Sequence, residues 1–161
     1  MESGNPDATV ALRWHSGPRN ELRQLFELAE DSAAAIDASI DAGVVLVAQS
    51  ADSVIGLLQL TSPSPLEAEI KHMAVTKDWQ GRGLGRALVE VALKHAHDSG
   101  TARVVVATAA ADVGNLRFYQ RQGFRIFAVE RDAFTTATGY PESILIDGIE
   151  LRDRVWLDRL V

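Results

Sequence analysis

The chain has no cysteine among its 161 residues. That excludes disulfides, thiolate nucleophiles and zinc–thiolate sites together. Its four histidines do not replace them as a metal set. His95 and His97 stand two apart on a predicted helix and point to different faces, while His15 and His72 are isolated. No metal is expected. Basic charge is also scarce: 16 Lys and Arg stand against 22 Asp and Glu, a formal net charge of −6. Sequence-independent nucleic-acid binding needs a clustered basic footprint, so no nucleic-acid partner is expected. No apolar run approaches the roughly 18 residues of a membrane span. The opening "MESGNPDATV" lacks the basic and apolar regions of a secretion signal. The expectations are therefore no membrane and a cytoplasmic location.

The length suits one domain with a real core. Residues 1–7 read as a flexible tail and residues 8–161 as the single domain. "TVALRW" reads as a first strand. Leu22, Leu25, Phe26 and Ala29 then recur at helical spacing, and an alanine-rich helix follows through Ile36 and Ile40. "VVLVAQS" and "VIGLLQLT" read as a strand hairpin, with "SPSPL" breaking the pattern before the strand "EAEIKHMAV". Strict alternation along that strand puts residues 69, 71, 73 and 75 on one face and 70, 72 and 74 on the other. A helix to Gly100, a strand in "ARVVVATAA" buried on both faces and a short helix in "DVGNLRFYQRQG" come next. "FRIFAVERD" and one last strand in "GIELRDRVWLDRL" close the chain. Early strands form a meander and later ones alternate with helices. The expected fold class is α+β, a mixed, mostly antiparallel sheet flanked by about four helices.

The stretch "DWQGRGLGRALVE" is the most informative. Gly81, Gly83 and Gly85 stand where a helix must begin, although each weakens a helix by roughly 1 kcal/mol relative to alanine. A P-loop needs Gly-Lys-Ser/Thr after its glycine run, and none occurs. A dinucleotide fingerprint needs its third glycine where Arg86 stands. What remains is physical. A first helical turn leaves four N–H groups unpaired, and the helix dipole adds about half a positive charge there. Glycines remove the Cβ atoms that would keep an anion away. Three alternating glycines flanked by Arg82 and Arg86 favour a pyrophosphate site over a tightly packed loop.

Gln80-Gly81-Arg82-Gly83-Leu84-Gly85 resembles the Q/R-x-x-G-x-G/A acyl-coenzyme A motif of the GNAT (Gcn5-related) N-acetyltransferases. As in that family, a strand ending in Met73-Ala74-Val75 precedes it. A second block, Asn115 to Phe124, is similar to the family's N-x7-G-F segment. The tail "GYPESILIDGIELRDRVWL" resembles the end of one bacterial subgroup whose substrates are poorly defined. The resemblance implies a GNAT fold, acetyl-CoA as co-substrate, and direct attack of an amine on the thioester in a ternary complex. A small-molecule amine is expected over a protein amine, and the resemblance leaves a homodimer open.

The resemblance also implies residue roles. Amides from Gly81 to Arg86 would hold the pyrophosphate, and the Met73–Val75 edge would pair with the pantetheine arm and polarise the thioester oxygen. Asn115 would contact the arm, and Tyr119 would protonate the departing thiolate. Arg82, Arg86 and Lys94 are candidates for the nucleotide phosphates, and Tyr140 and Pro141 for the acceptor pocket. An alkylamine of pKa about 10.4 is neutral roughly once in 10³ at pH 7, so a base is needed. Glu69, at the position of the family's glutamate base, and His72 are the two candidates. The competing expectation is a non-catalytic acyl-CoA sensor or interaction subunit on the same fold, against which Tyr119 and Glu69 argue.

Overall fold

The computed structural model describes residues 9–161, so the expected tail at 1–7 lies outside it. Strand β1 (Val10–Trp14) leads through a 3-10 turn (Arg19–Leu22) to helices α1 (Arg23–Ala29) and α2 (Ala33–Ser39). A meander follows: β2 (Val44–Ser50), β3 (Ser53–Ser64) and β4 (Glu67–Val75). Helix α3 (Leu84–Asp98), β5 (Arg103–Ala109), α4 (Val113–Arg121) and β6 (Arg125–Glu130) come next. A small hairpin, β7 (Leu145–Ile146) and β8 (Ile149–Glu150), precedes β9 (Arg154–Leu160). The main sheet has seven strands in the order β1-β2-β3-β4-β5-β9-β6. Only the β4–β5 pair is parallel. The expected mixed α+β sheet is what forms.

Apolar runs in the central strands follow from burial on both sides. On β2, Val45 and Val47 join Phe26, Ile36 and Ile40 under α1 and α2. Leu46 and Ala48 join Leu88, Ala92 and Tyr119 under α3 and α4. From Val45 to Ala48, β2 thus needs an apolar residue at every position, and the alternation of a half-buried strand disappears there. Local chemistry fixes the helix ends. Ser32 accepts from the Ala35 N–H at 3.2 Å to start α2, and Asp112 accepts from the Asn115 N–H at 3.0 Å to start α4. Arg19 donates to the carbonyls of Ile40, Ala42 and Gly43 at 2.9–3.1 Å, which ties the end of α2 to the start of α1.

Two elements depart from the sequence expectation. The segment "SPS" does not break the hairpin but finishes β3. Pro63 falls inside a register shift between Thr61 and Ser64, where a missing N–H costs no ladder bond. The last strand is split: Leu151 turns inward and buries, separating β8 from β9. Among the described residues no helix is long and apolar enough to cross a membrane.

Candidate active site

The site begins where β4 and β5 part. They pair only from Glu67–Ile70 against Arg103–Val106. Beyond that, β4 keeps β3 as its partner and β5 keeps β9. A cleft of about 1090 Å³ opens between them, lined by residues 70–75 and 106–109, the head of α3, α4, and the ends of the α1 and β7–β8 regions.

At the point of parting, β4 carries a bulge. His72 stands opposite Gln59 and Ile70 opposite Leu60, leaving Lys71 without a partner. One extra residue exchanges the faces on either side of it. Ala68 and Ile70 pack toward α3 and α4 with Met73 and Val75. His72 packs on the other face, against the Phe26 ring at 5.4 Å. The strict alternation expected from sequence is therefore wrong, because Glu69 and His72 share the α1–α2 face.

The bulge also fixes the free backbone. The Thr76 N–H donates to Ile55 on β3 at 2.9 Å. Backbone groups of successive strand residues point to opposite sides, so Met73 and Val75 turn theirs into the cleft. The Val75 carbonyl accepts from the Gln80 side chain at 2.9 Å. Ala74, expected to share this edge, instead turns its backbone toward β3 and is buried. Gln80 thus closes the loop onto the strand end.

Gly81 and Gly83 have φ of +74° and +83°, a region that strains residues with a Cβ. A Cβ at either would meet nothing within 4 Å. The first helical backbone bond of α3 is Ala87 N–H to Gly83 at 3.0 Å. Among the described residues none of the N–H groups of residues 81–86 donates a backbone bond. Six amides are therefore open beside the cleft, at the positive end of a helix fifteen residues long. Gly85 serves differently: its α-carbon lies under the Phe118 ring, which a Cβ would meet at 3.4 Å. Leu84, the first residue of α3, packs on the core and lines the cleft. Arg82 stacks over Trp79 at 4.8 Å, and Arg86 pairs with Glu90 at 2.9 Å. Lys94 pairs with Asp98 and is not part of the cleft wall.

From the other wall, α4 presents Tyr119. Its ring is held edge-on by Phe118 at 5.0 Å and Phe124 at 5.6 Å. Its hydroxyl has no hydrogen-bond partner among the described residues. Burial pushes the phenol well above its usual range, and the charge of Asp112 pushes it further. Asn115 lines the cleft and reaches Thr108 with its side-chain amide at 3.4 Å.

The two base candidates separate here. Glu69 sits before the strands part, paired opposite Val105, and is absent from the cleft wall. Its carboxylate lies 3.9 Å from the Lys71 ammonium. His72 does line the cleft, with its side chain 3% exposed. Its Nδ1 is 2.7 Å from Gln59 Oε1. The Gln59 amide donates to Ser39 at 2.6 Å and Ala42 at 2.9 Å, so Oε1 can only accept. Nδ1 therefore carries the hydrogen, and Nε2 is left with its lone pair toward the cleft.

Sequence reasoning missed Glu30. Its Oε1 accepts from the Tyr140 hydroxyl at 2.6 Å and the Ser32 N–H at 3.1 Å, and its Oε2 lies 3.8 Å from His72 Nε2. Burial alone would raise this carboxyl. The nearby His72 and the hydrogen bonds from Tyr140 and Ser32 outweigh it and hold the group below its usual range. Tyr140 is pushed up by burial and by Glu30. Pro141 does not line the cleft. The only sequence signal for Glu30 was "ED" directly after the apolar helix; Gln59 showed as a polar residue between two leucines inside "VIGLLQLT".

A model of the acetyltransferase (GNAT) family matches residues 8–124. The chain belongs to that family. The YvbK protein of Bacillus subtilis, an uncharacterized N-acetyltransferase, is 33% identical over 141 residues, covering 86% of this chain and 90% of that one. The fold matches an IAA acetyltransferase from Bacillus cereus at a TM-score of 0.86 and 32% identity, over 95% of this chain and 100% of that one. It matches equally, at 0.86 and 27% identity, a GNAT acetyltransferase from Elizabethkingia anophelis solved with acetyl-CoA bound, over 94% and 98% of the two chains. Among the described residues no cluster of three or more His, Asp or Glu is placed to hold a metal.

Proposed function

We propose that this acetyltransferase moves the acetyl group of acetyl-CoA to the primary amine of a small molecule, by direct attack in a ternary complex. One observation carries the reading: open amides at the head of α3, a free strand edge and a tyrosine hydroxyl unpartnered among the described residues line a single cleft. The residues suit the co-substrate. Amides 81–86 at a helix head fit a pyrophosphate, and the free backbone groups of Met73 with the free N–H of Val75 fit the amides of a pantetheine arm as an added strand would. Acetyl-CoA supplies the activated acetyl thioester. An N–H of the β4 edge polarises its oxygen. The Tyr119 hydroxyl, kept protonated by burial, donates to the departing sulfur. His72 takes the amine proton in place of Glu69, because only His72 faces the cleft.

Calorimetry with acetyl-CoA and NADH, followed by a free-thiol release screen over primary amines, tests this. Micromolar acetyl-CoA binding, no NADH binding and amine-dependent thiol release are expected. Binding without release from any amine would leave a sensor on the same fold. No acetyl-CoA binding would end the reading.

A further inference from the structure

Two acceptors converge at the α1 end of the cleft. Glu30 has one oxygen committed to Tyr140 and Ser32, and the other lies 3.8 Å from His72 Nε2. That gap is too long for a direct hydrogen bond. One nitrogen bearing hydrogens can stand about 2.9 Å from both. The His72 side chain is 3% exposed, and Gln59 holds its other nitrogen, so Nε2 has no freedom to turn elsewhere. Glu30 is equally fixed, by two donors from two segments. Unlike a surface carboxylate, this pair is assembled for an incoming donor.

We propose that Glu30 and His72 form the subsite for the acceptor's ammonium group, on a primary amine with an apolar body and no carboxylate beside the nitrogen. The proposal rests on the acetyl-transfer reading above. Glu30 holds the charge and His72 Nε2 removes the proton. Apolar surface for the body comes from Leu28, which precedes Glu30 on α1, and from Phe134, whose ring meets Tyr140 edge-on at 5.0 Å. Asp31 also lines this end, so two carboxylates oppose an acceptor carrying its own. Arg154 stacks over Phe134 at 4.9 Å but is engaged by Glu130 at 3.1 Å.

The chemistry balances. The ammonium gives one proton to His72 Nε2, and the imidazolium formed faces the Glu30 carboxylate. The freed lone pair forms the N–C bond, and the C–S bond breaks. Tyr119 protonates the sulfur and regains a proton from the nitrogen as the amide forms. His72 returns its proton to water. The products are an amide, a thiol and one proton.

The test uses matched acceptors that differ only by an α-carboxylate: 2-phenylethylamine against phenylalanine, and isobutylamine against valine. Thiol release is followed at saturating acetyl-CoA. The amines should exceed the amino acids at least about tenfold in kcat/KM. Glu30→Gln should raise the KM of the amine about tenfold or more, and Tyr140→Phe should raise it less. His72→Asn keeps a donor toward Gln59 but loses Nε2. It should lower kcat about 10²-fold with little change in the KM of the amine. Asp31, Tyr140, Lys71 and Arg154 are the other titratable groups around the pair, and all remain in that variant. Calorimetry should give unchanged acetyl-CoA affinity for all three variants, showing the cofactor half intact.

If the unaltered protein binds no acetyl-CoA, the acetyl-transfer reading itself fails. If it binds and turns over, but accepts amino acids as well as amines, or if Glu30→Gln leaves KM unchanged, only the subsite is overturned. Acetylation of a peptide amine with none of these small amines overturns the acceptor class.

Discussion

Replacing Gly83 with leucine separates the helix-head site from the rest of the cleft. Gly83 sits at φ +83°, where an L-residue costs roughly 1–2 kcal/mol. A Cβ there meets nothing within 4 Å, so no clash adds to that strain. Against a usual total stability of about 5–15 kcal/mol the protein stays folded. A melting temperature lower by about 2–8 °C is expected for a chain of this size. The new side chain occupies the open space the amides face. Hydrogen bonds to a charged group contribute about 1.5–3 kcal/mol each. Losing two of them removes about 3–6 kcal/mol, which weakens acetyl-CoA binding roughly 10²- to 10⁴-fold.

The decisive comparison is with S-acetylpantetheine, which carries the thioester and arm but no pyrophosphate. Its kcat/KM should stay within about threefold, since Met73, Val75, His72 and Tyr119 lie on other elements. Calorimetry supplies the first number and thiol release the second. Equal losses for both donors would mean that the loop acts through general disorder. Undiminished acetyl-CoA affinity would mean that these amides hold no phosphate.

Tyr119→Phe should lower kcat about 10²- to 10⁴-fold with little change in melting temperature, because the hydroxyl has no partner among the described residues. Since its phenol is raised by burial and by Asp112, the unaltered enzyme should show no alkaline fall from this group below about pH 10. Glu69→Gln should leave kcat and KM unchanged in thiol-release kinetics, and a kcat lowered about 10²-fold would return the base to Glu69. Gly85→Ala should raise the melting temperature by about 2–4 °C, since alanine gains roughly 1 kcal/mol in a helix and its methyl meets Phe118 at ordinary contact.

The open helix head was legible because its geometry is local. A run of glycines at a helix start needs only its own backbone to leave amides open, and residues 81–86 carry both the glycine spacing and the open N–H groups. The Glu30–His72 pair was not legible, because its contacts are distant in the chain. Tyr140 and Glu30 are 110 positions apart. Nothing in the spacing of "ED" after α1 ties it to a histidine on β4. Periodicity failed for a different reason. It assumes an unbroken strand, and one unpaired residue at Lys71 reverses every face assignment after it. Pro63 misled similarly, since proline is read as a breaker unless the unpaired register is known.

The bulge and the parting of the strands are one device. A bulge raises local twist and bends its strand, and parallel pairing with β5 ends at Ile70, the residue before the extra one. The bulge absorbs Lys71, so that His72 stays opposite Gln59 on the α1–α2 face and the backbone of Met73 and Val75 stays turned into the gap. Deleting Lys71 makes Ile70 and His72 consecutive partners of Leu60 and Gln59, which keeps every face and removes only the bend. Straightened, β4 should stay paired with β5 beyond Ile70 and close the gap, so acetyl-CoA affinity and amine turnover should fall together, whereas Lys71→Ala, which keeps the bulge, should retain both. If the deletion leaves both intact, the bulge does not part the strands; if Lys71→Ala is equally damaging, the side chain matters and not the bulge.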